Sequence, residues 1–164
     1  MNINSGGSAI SGYLADQCFT GGTAPSPRGP VPAPFDTGRY GTSFSYAVPA
    51  SNGPHRLQLG FSESGGYATG QRVFKILVNG VAWLSHFDVY AEVGANTPVI
   101  KTIDCEAVAG YITLTFTGVV GNAFVNSIQL DEGLSVDEQI LNELRIQTPL
   151  IQRLTNALTP PVGA

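Results

Sequence analysis

The sequence predicts an all-β fold, an antiparallel β-sandwich followed by one kinked or two short C-terminal α-helices. Three observations carry this. Between Asn2 and Leu130 apolar residues recur with a period of two, in short runs bounded by glycine, proline and asparagine. Each run has only one apolar face, and a one-sided sheet must cover that face with another layer. After Gly133 the spacing changes to the threes and fours of a helix.

The strands are read in order. Phe44, Tyr46 and Val48 alternate with Ser43, Ser45 and Ala47, and Leu57, Leu59 and Phe61 with Arg56, Gln58 and Gly60. Phe74, Ile76 and Val78 follow, then Phe87, Val89 and Ala91, then Ile112, Leu114 and Phe116. Turn chemistry separates them around Asn52-Gly53, Asn79-Gly80, Gly94 to Pro98 and Gly118 to Asn122. Asn79-Gly80 is a hairpin signal, because both residues accept positive φ. Roughly eight to ten short strands are expected, in two sheets. Phe19 to Phe35, with prolines at 25, 27, 30, 32 and 34, predicts a long extended surface loop.

Ser135-Val136-Asp137-Glu138 reads as a capping box opening a helix. Ile140, Leu144, Gln147, Ile151, Leu154 and Leu158 then form a seam with one polar position. Thr148-Pro149 implies a kink, or two helices over 135–147 and 149–158. So short a helix is marginal alone, and its stripe needs a partner. That partner is the chain's own sandwich, further copies in a homo-oligomer, or a host protein. The chain thus divides into a sandwich, 1–133, and an attachment or oligomerisation segment, 134–164.

The 164 residues suit one domain with an appendage. At 43% apolar and 12% charged, with 20 glycines and 11 prolines, the composition excludes disorder, a coiled coil or an all-helical bundle for the whole chain. Eight basic residues against twelve acidic ones give a net charge of -4 without a basic cluster, so neither nucleic acid nor anionic membrane is an expected partner. No apolar stretch reaches the roughly 18 residues of a membrane span. The opening MNINSGGSAI carries no signal-peptide pattern, so synthesis in a cytoplasm is expected. Whether Cys18 and Cys105 pair is left open by their spacing.

Catalytic inventory is thin. Ser85-His86-Phe87-Asp88 holds triad residue types, but on one strand alternate side chains face opposite ways. Cysteine and histidine lack zinc spacing, and Glu63, Asp88, Glu92, Asp104 and Glu106 are scattered. No enzyme, metal or cofactor is expected.

Several blocks carry a family resemblance. Ile3-Asn4-Ser5-Gly6-Gly7, Arg39-Tyr40-Gly41 with Phe44-Ser45-Tyr46, and Leu57-Gln58-Leu59-Gly60-Phe61-Ser62-Glu63 resemble successive signatures of the malectin domain. Gly70-Gln71-Arg72-Val73-Phe74, Val78-Asn79-Gly80, Phe87-Asp88-Val89 and Asn126-Ser127-Ile128 continue it in order, over roughly 1–131. The resemblance implies a jelly-roll-like sandwich that binds carbohydrate without catalysis, at loops on one end. The family's tyrosine in the Arg-Tyr block falls on Tyr40. Its aromatic pair falls on Gly65-Gly66, with Tyr67 one place on, and its acidic residue on Gly121, beside Asn122. Sugar recognition needs an aromatic face and hydrogen-bonding groups, which makes Tyr40, Tyr67, Gln71, Asn122 and Phe124 the candidates. The plainer readings are that Tyr40 plugs the sandwich end, that Gln71 to Phe74 begins a strand, and that Trp83 packs in a core or hairpin.

Leu141 to Thr148 also resembles the leucine- and arginine-rich C-terminal segments of bacteriophage structural proteins. The expected function is therefore a non-catalytic virion decoration or fibre component, made in a host cytoplasm and held by a capsid or tail protein or by its own copies, with glycan as a further partner. The alternative is a free-standing lectin made multivalent by its tail.

Overall fold

In the computed structural model, residues 1–24, 29–131 and the single residue Gln147 are described. The chain divides into two units, Met1–Gly133 and Leu134–Ala164. The helices expected over 135–147 and 149–158, with their seam, lie outside the described residues, save Gln147, which is exposed on helical backbone.

Among the described residues the strands are β1 (Asn2–Asn4), β2 (Phe19–Thr23), β3 (Arg39–Pro49), β4 (Gly53–Phe61), β5 (Val73–Val78), β6 (Val81–Phe87), β7 (Val99–Ala107), β8 (Tyr111–Val120), β9 (Ala123–Val125) and β10 (Ser127–Leu130). One short helix, α1 (Val89–Val93), joins β6 to β7. A four-stranded sheet runs β1-β10-β4-β7, and a second runs β2-β3-β8-β5-β6, with β9 also paired to β3. The ladders are antiparallel throughout. The all-β sandwich is thus the fold.

The alternation read from the sequence decides which faces meet. Phe44, Tyr46 and Val48 of β3 lie opposite Phe116, Leu114 and Ile112 of β8, and all six are buried. Leu57, Leu59 and Phe61 of β4, with Ile3, Ile128 and Leu130, cover them from the other sheet. Phe61 ties the layers together, its ring centroid 5.9, 5.0 and 6.0 Å from those of Phe74, Phe87 and Phe124. Such edge-on and tilted contacts add specific geometry to the burial of apolar area that holds the sheets together. Asn79 and Gly80 turn the β5–β6 hairpin with φ of 49° and 78°.

Two expectations are corrected, and one strand is added. Phe87, Val89 and Ala91 do not share a strand: β6 stops at Phe87, and Asp88 caps α1 by accepting from the Ala91 N–H at 3.0 Å. A side chain able to cap a helix outweighed a two-residue alternation. The segment from Phe19 to Phe35 is not a surface loop throughout. Phe19–Thr23 pairs with β3 as an edge strand, with a register shift between Gly21 and Thr23, and Val31 is buried. All five β2 residues are exposed, so no apolar alternation marked them. Val99–Ala107, absent from the runs read from the sequence, is the edge strand β7, whose inward side carries Lys101 and whose outward side carries Ile100.

Asn126 stands between β9 and β10, where the chain leaves one sheet for the other. Its side chain is buried and fully engaged. Oδ1 accepts from the Ser62 N–H at 2.7 Å, while Nδ2 donates to the carbonyls of Phe35, at 3.1 Å, and Thr37. Its main chain bonds Gly60 and Ser5. With three side-chain bonds worth about 1 kcal/mol each, and buried partners left bare, Asn126→Ala should destabilise the sandwich by roughly 3 kcal/mol in urea unfolding. A loss below about 1 kcal/mol would show that water takes over these contacts.

Candidate functional site

The loops gathered by Asn126 enclose a cavity of about 200 Å³, lined by Asp36, Thr37, Gly38, Tyr40, Ser62, Ser64, Gly65, Tyr67, Arg72, Phe124 and Asn126. That is below the roughly 300 Å³ at which drug-sized sites begin, and so suits a single small ring. Each element supplies its share for a local reason. Tyr40 lies opposite Phe124 in the β3–β9 ladder, so both rings face the same side. The turn from Phe61 to β5 carries Ser62, Ser64, Gly65 and Tyr67, and Arg72 directly precedes β5.

Arg72 and Glu63 organise the wall. The guanidinium lies 3.9 Å from the centroid of Tyr67 and 4.7 Å from that of Phe124. Its Nη1 is 3.3 Å from Oε2 of Glu63, the Arg72 side chain 11% exposed and that of Glu63 1%. Glu63 Oε1 accepts from the Gly65 N–H at 2.8 Å. Gly65 has no room for a side chain: a Cβ would lie 2.9 Å from the Tyr67 ring and 3.0 Å from Glu63 Oε1. Tyr67 therefore leans over the backbone where the family resemblance would set an aromatic side chain.

Three polar atoms here have no hydrogen-bond partner although they are buried: Asp36 Oδ1, Ser62 Oγ and Arg72 Nε. All three residues line the cavity. A buried polar atom without a partner costs about 1–3 kcal/mol, a cost that a polar ligand meeting these three would recover; the fourth such atom among the described residues, Ser5 Oγ, lies outside the cavity.

Of the five sequence candidates, Tyr40, Tyr67 and Phe124 line this cavity, and Gln71 and Asn122 are not among its lining. Gln71 is exposed, and its Oε1 accepts from the Ala68 N–H at 3.0 Å, closing a turn. Asn122 is half-buried in the turn before β9. Asp36, Ser62, Arg72 and Asn126 were missed as site residues. In a chain only 12% charged, a lone acid between the prolines and β3, and an arginine opening a strand, were the available signals. Cys18 and Cys105 are both free thiols. Among the described residues no three metal-ligating side chains gather, and no helix is long and apolar enough to cross a membrane.

Residues 1–129 match the malectin domain. The chain belongs to the malectin domain family. No curated protein matches it. Among solved structures, the ANXUR1 extracellular domain of Arabidopsis thaliana is similar with a TM-score of 0.67 and 18% identity, over 79% of this chain and 48% of that one. The plant receptor-like kinase FER gives 0.66 and 16%, with the same coverage. A Bacteroides uniformis beta-glucuronidase gives 0.65 and 18%, over 81% of this chain and 18% of the enzyme. At these identities the likeness is one of fold. The chain spans less than half the length of each.

Burial pushes the Glu63 carboxyl above its ordinary range, against the pull of Arg72 and the Gly65 N–H. A carboxyl with a raised folded pKa contributes stability that is fully present below the unfolded value and lost as pH rises through the folded one. Relative to Glu63→Gln, the unmodified protein should therefore gain stability as pH falls from neutrality toward the ordinary glutamate value of 4.5. The gain is about 1.4 kcal/mol for each unit of elevation. Paired thermal melts across this window check it, and a loss on acidification would mean that Arg72 outweighs burial.

Proposed function

We propose that the protein is a non-catalytic carbohydrate-binding module, and that the cavity around Asp36, Tyr40, Ser62, Tyr67, Arg72 and Phe124 holds one sugar ring. The observation that carries this is the pairing of aromatic walls with three unpartnered buried polar atoms. Aromatic faces take the C–H side of a pyranose, and buried donors and acceptors take its hydroxyls. Catalysis is disfavoured by the state of the carboxylates. Glycoside hydrolysis uses two carboxyl groups flanking the scissile bond. Here both Glu63 oxygens are engaged, by Arg72 and by Gly65, which leaves Asp36 as the cavity's single uncommitted acid.

The reading is tested on a glycan array with the full chain. Tyr40→Ala should lower binding about tenfold or more, equivalent to about 1.4 kcal/mol. An unmodified protein that binds no glycan rejects it.

We further propose that the sandwich is displayed on a larger particle, a bacteriophage virion in the sharpest form of the reading, through residues 134–164. Support comes from the sequence stripe Ile140, Leu144, Gln147, Ile151, Leu154 and Leu158, whose spacing suits a helical partner. Self-association is the first form to test, since tethered copies would also raise avidity for sugar. Leu144→Asp with Leu154→Asp in the full chain should reduce a discrete oligomer to monomer by native mass spectrometry. A monomeric unmodified chain rules out self-assembly and leaves a foreign partner or the chain's own sandwich.

A further inference from the structure

We propose that Asp36 sets the ligand preference of the cavity, selecting an uncharged sugar ring with two adjacent free hydroxyls and refusing acidic sugars. This rests on the carbohydrate reading above and adds a selection rule to it.

The rule follows from what each unpartnered atom can do. Arg72 and Glu63 offset one another at 3.3 Å, which leaves Asp36 as the cavity's unbalanced formal charge. Its buried Oδ1 touches no donor, and an ionised carboxylate only accepts, so the ligand must bring a donor. Arg72 Nε is also buried and unpartnered and can only donate, so the same ligand must bring an acceptor. Ser62 Oγ, on a residue 1% exposed, serves either way. A vicinal diol offers O–H to Asp36 and lone pairs to Arg72 and Ser62. A uronate would set a second carboxylate in a small cavity that already holds one, and like charges there are costly. A protonated amino group brings donors and no lone pair, so beside Asp36 it leaves only its neighbouring hydroxyl to accept from Arg72 and Ser62, and it must be stripped of water to enter.

Asp36 is also held in place before any ligand arrives. The carbonyls of the residues on either side of it, Phe35 and Thr37, are both gripped by Asn126 Nδ2. Fixing the acceptor in advance removes an ordering cost from binding. The acid thus comes from the end of the proline-rich stretch, whereas the family resemblance places its acidic residue at Gly121, which is absent from the cavity lining.

The test titrates the full chain by calorimetry at neutral pH with the methyl glycosides of glucose, galactose and mannose, with their uronates, and with glucosamine. At least one neutral glycoside should bind, with its uronate about tenfold weaker or worse. Asp36→Asn should weaken the neutral glycoside about tenfold and bring the uronate within about threefold of it. Because Oδ1 has no partner in the free protein, the same variant should melt at the original temperature or above it. A uronate bound as well as the neutral sugar, a tenfold preference for glucosamine, or neutral binding indifferent to Asp36→Asn each overturns the proposal and leaves the carbohydrate reading standing. A marked fall in melting temperature would assign Asp36 a structural role and overturn it as well. Silence toward every sugar removes both.

Discussion

One buried amide, that of Asn126, governs the geometry at the end of the sandwich where the cavity lies. The chain must pass there from the β3-side sheet to the β4-side sheet, and the crossing leaves main-chain groups of neighbouring segments without ladder partners. A side chain with one acceptor and two donors serves three of them at once: Ser62, Phe35 and Thr37. Thr37 and Ser62 line the cavity themselves, and Phe35 and Thr37 flank its acid, Asp36. Gly38 permits the close approach, since a Cβ there would already lie 3.1 Å from the Asn126 amide nitrogen. Fold and site therefore share a joint, and neither can be altered at that point alone.

The remaining interior has few polar debts. Arg39, buried, bonds Asp16 at 2.9 and 2.7 Å, and the Tyr46 hydroxyl donates to the same carboxylate at 2.8 Å. That cluster shows how this chain treats buried charge when nothing is to be bound: paired, with hydrogen bonds satisfied. The cavity departs from the pattern. Its ion pair is complete, yet Arg72 Nε, Asp36 Oδ1 and Ser62 Oγ stay open. Of the four such atoms among the described residues, three sit on residues of the cavity and only Ser5 Oγ lies elsewhere, and buried open valences of this kind cluster where function needs them.

The sequence announced strands wherever the two faces differ in kind. β3, β4, β5 and β8 were legible because large apolar residues alternate with small or polar ones over six residues or more. β2 was not, since both its faces meet solvent and its pairing comes from β3. α1 was misread because Val89 and Ala91 prolong an alternation that Asp88 cuts short. At the site, Tyr40 and Phe124 sit on strands, and Tyr67 could be nominated only by its place one residue after the family's aromatic pair. Asp36 could not: its role depends on an asparagine ninety positions later holding its neighbours, and no local pattern encodes that.

The direction of β10 has a mechanical meaning. It begins beside Asn126 and the cavity and ends at Leu130, after which the Asp131 carbonyl meets the His55 ring at 3.1 Å. A force applied between the Asn126 end and the Leu130 end would thus run along one strand, flanked by β1 and β4. Antiparallel ladder bonds run across such a force, so they are sheared together instead of unzipping in sequence. The sandwich would meet such a pull with both ladders of β10 at once.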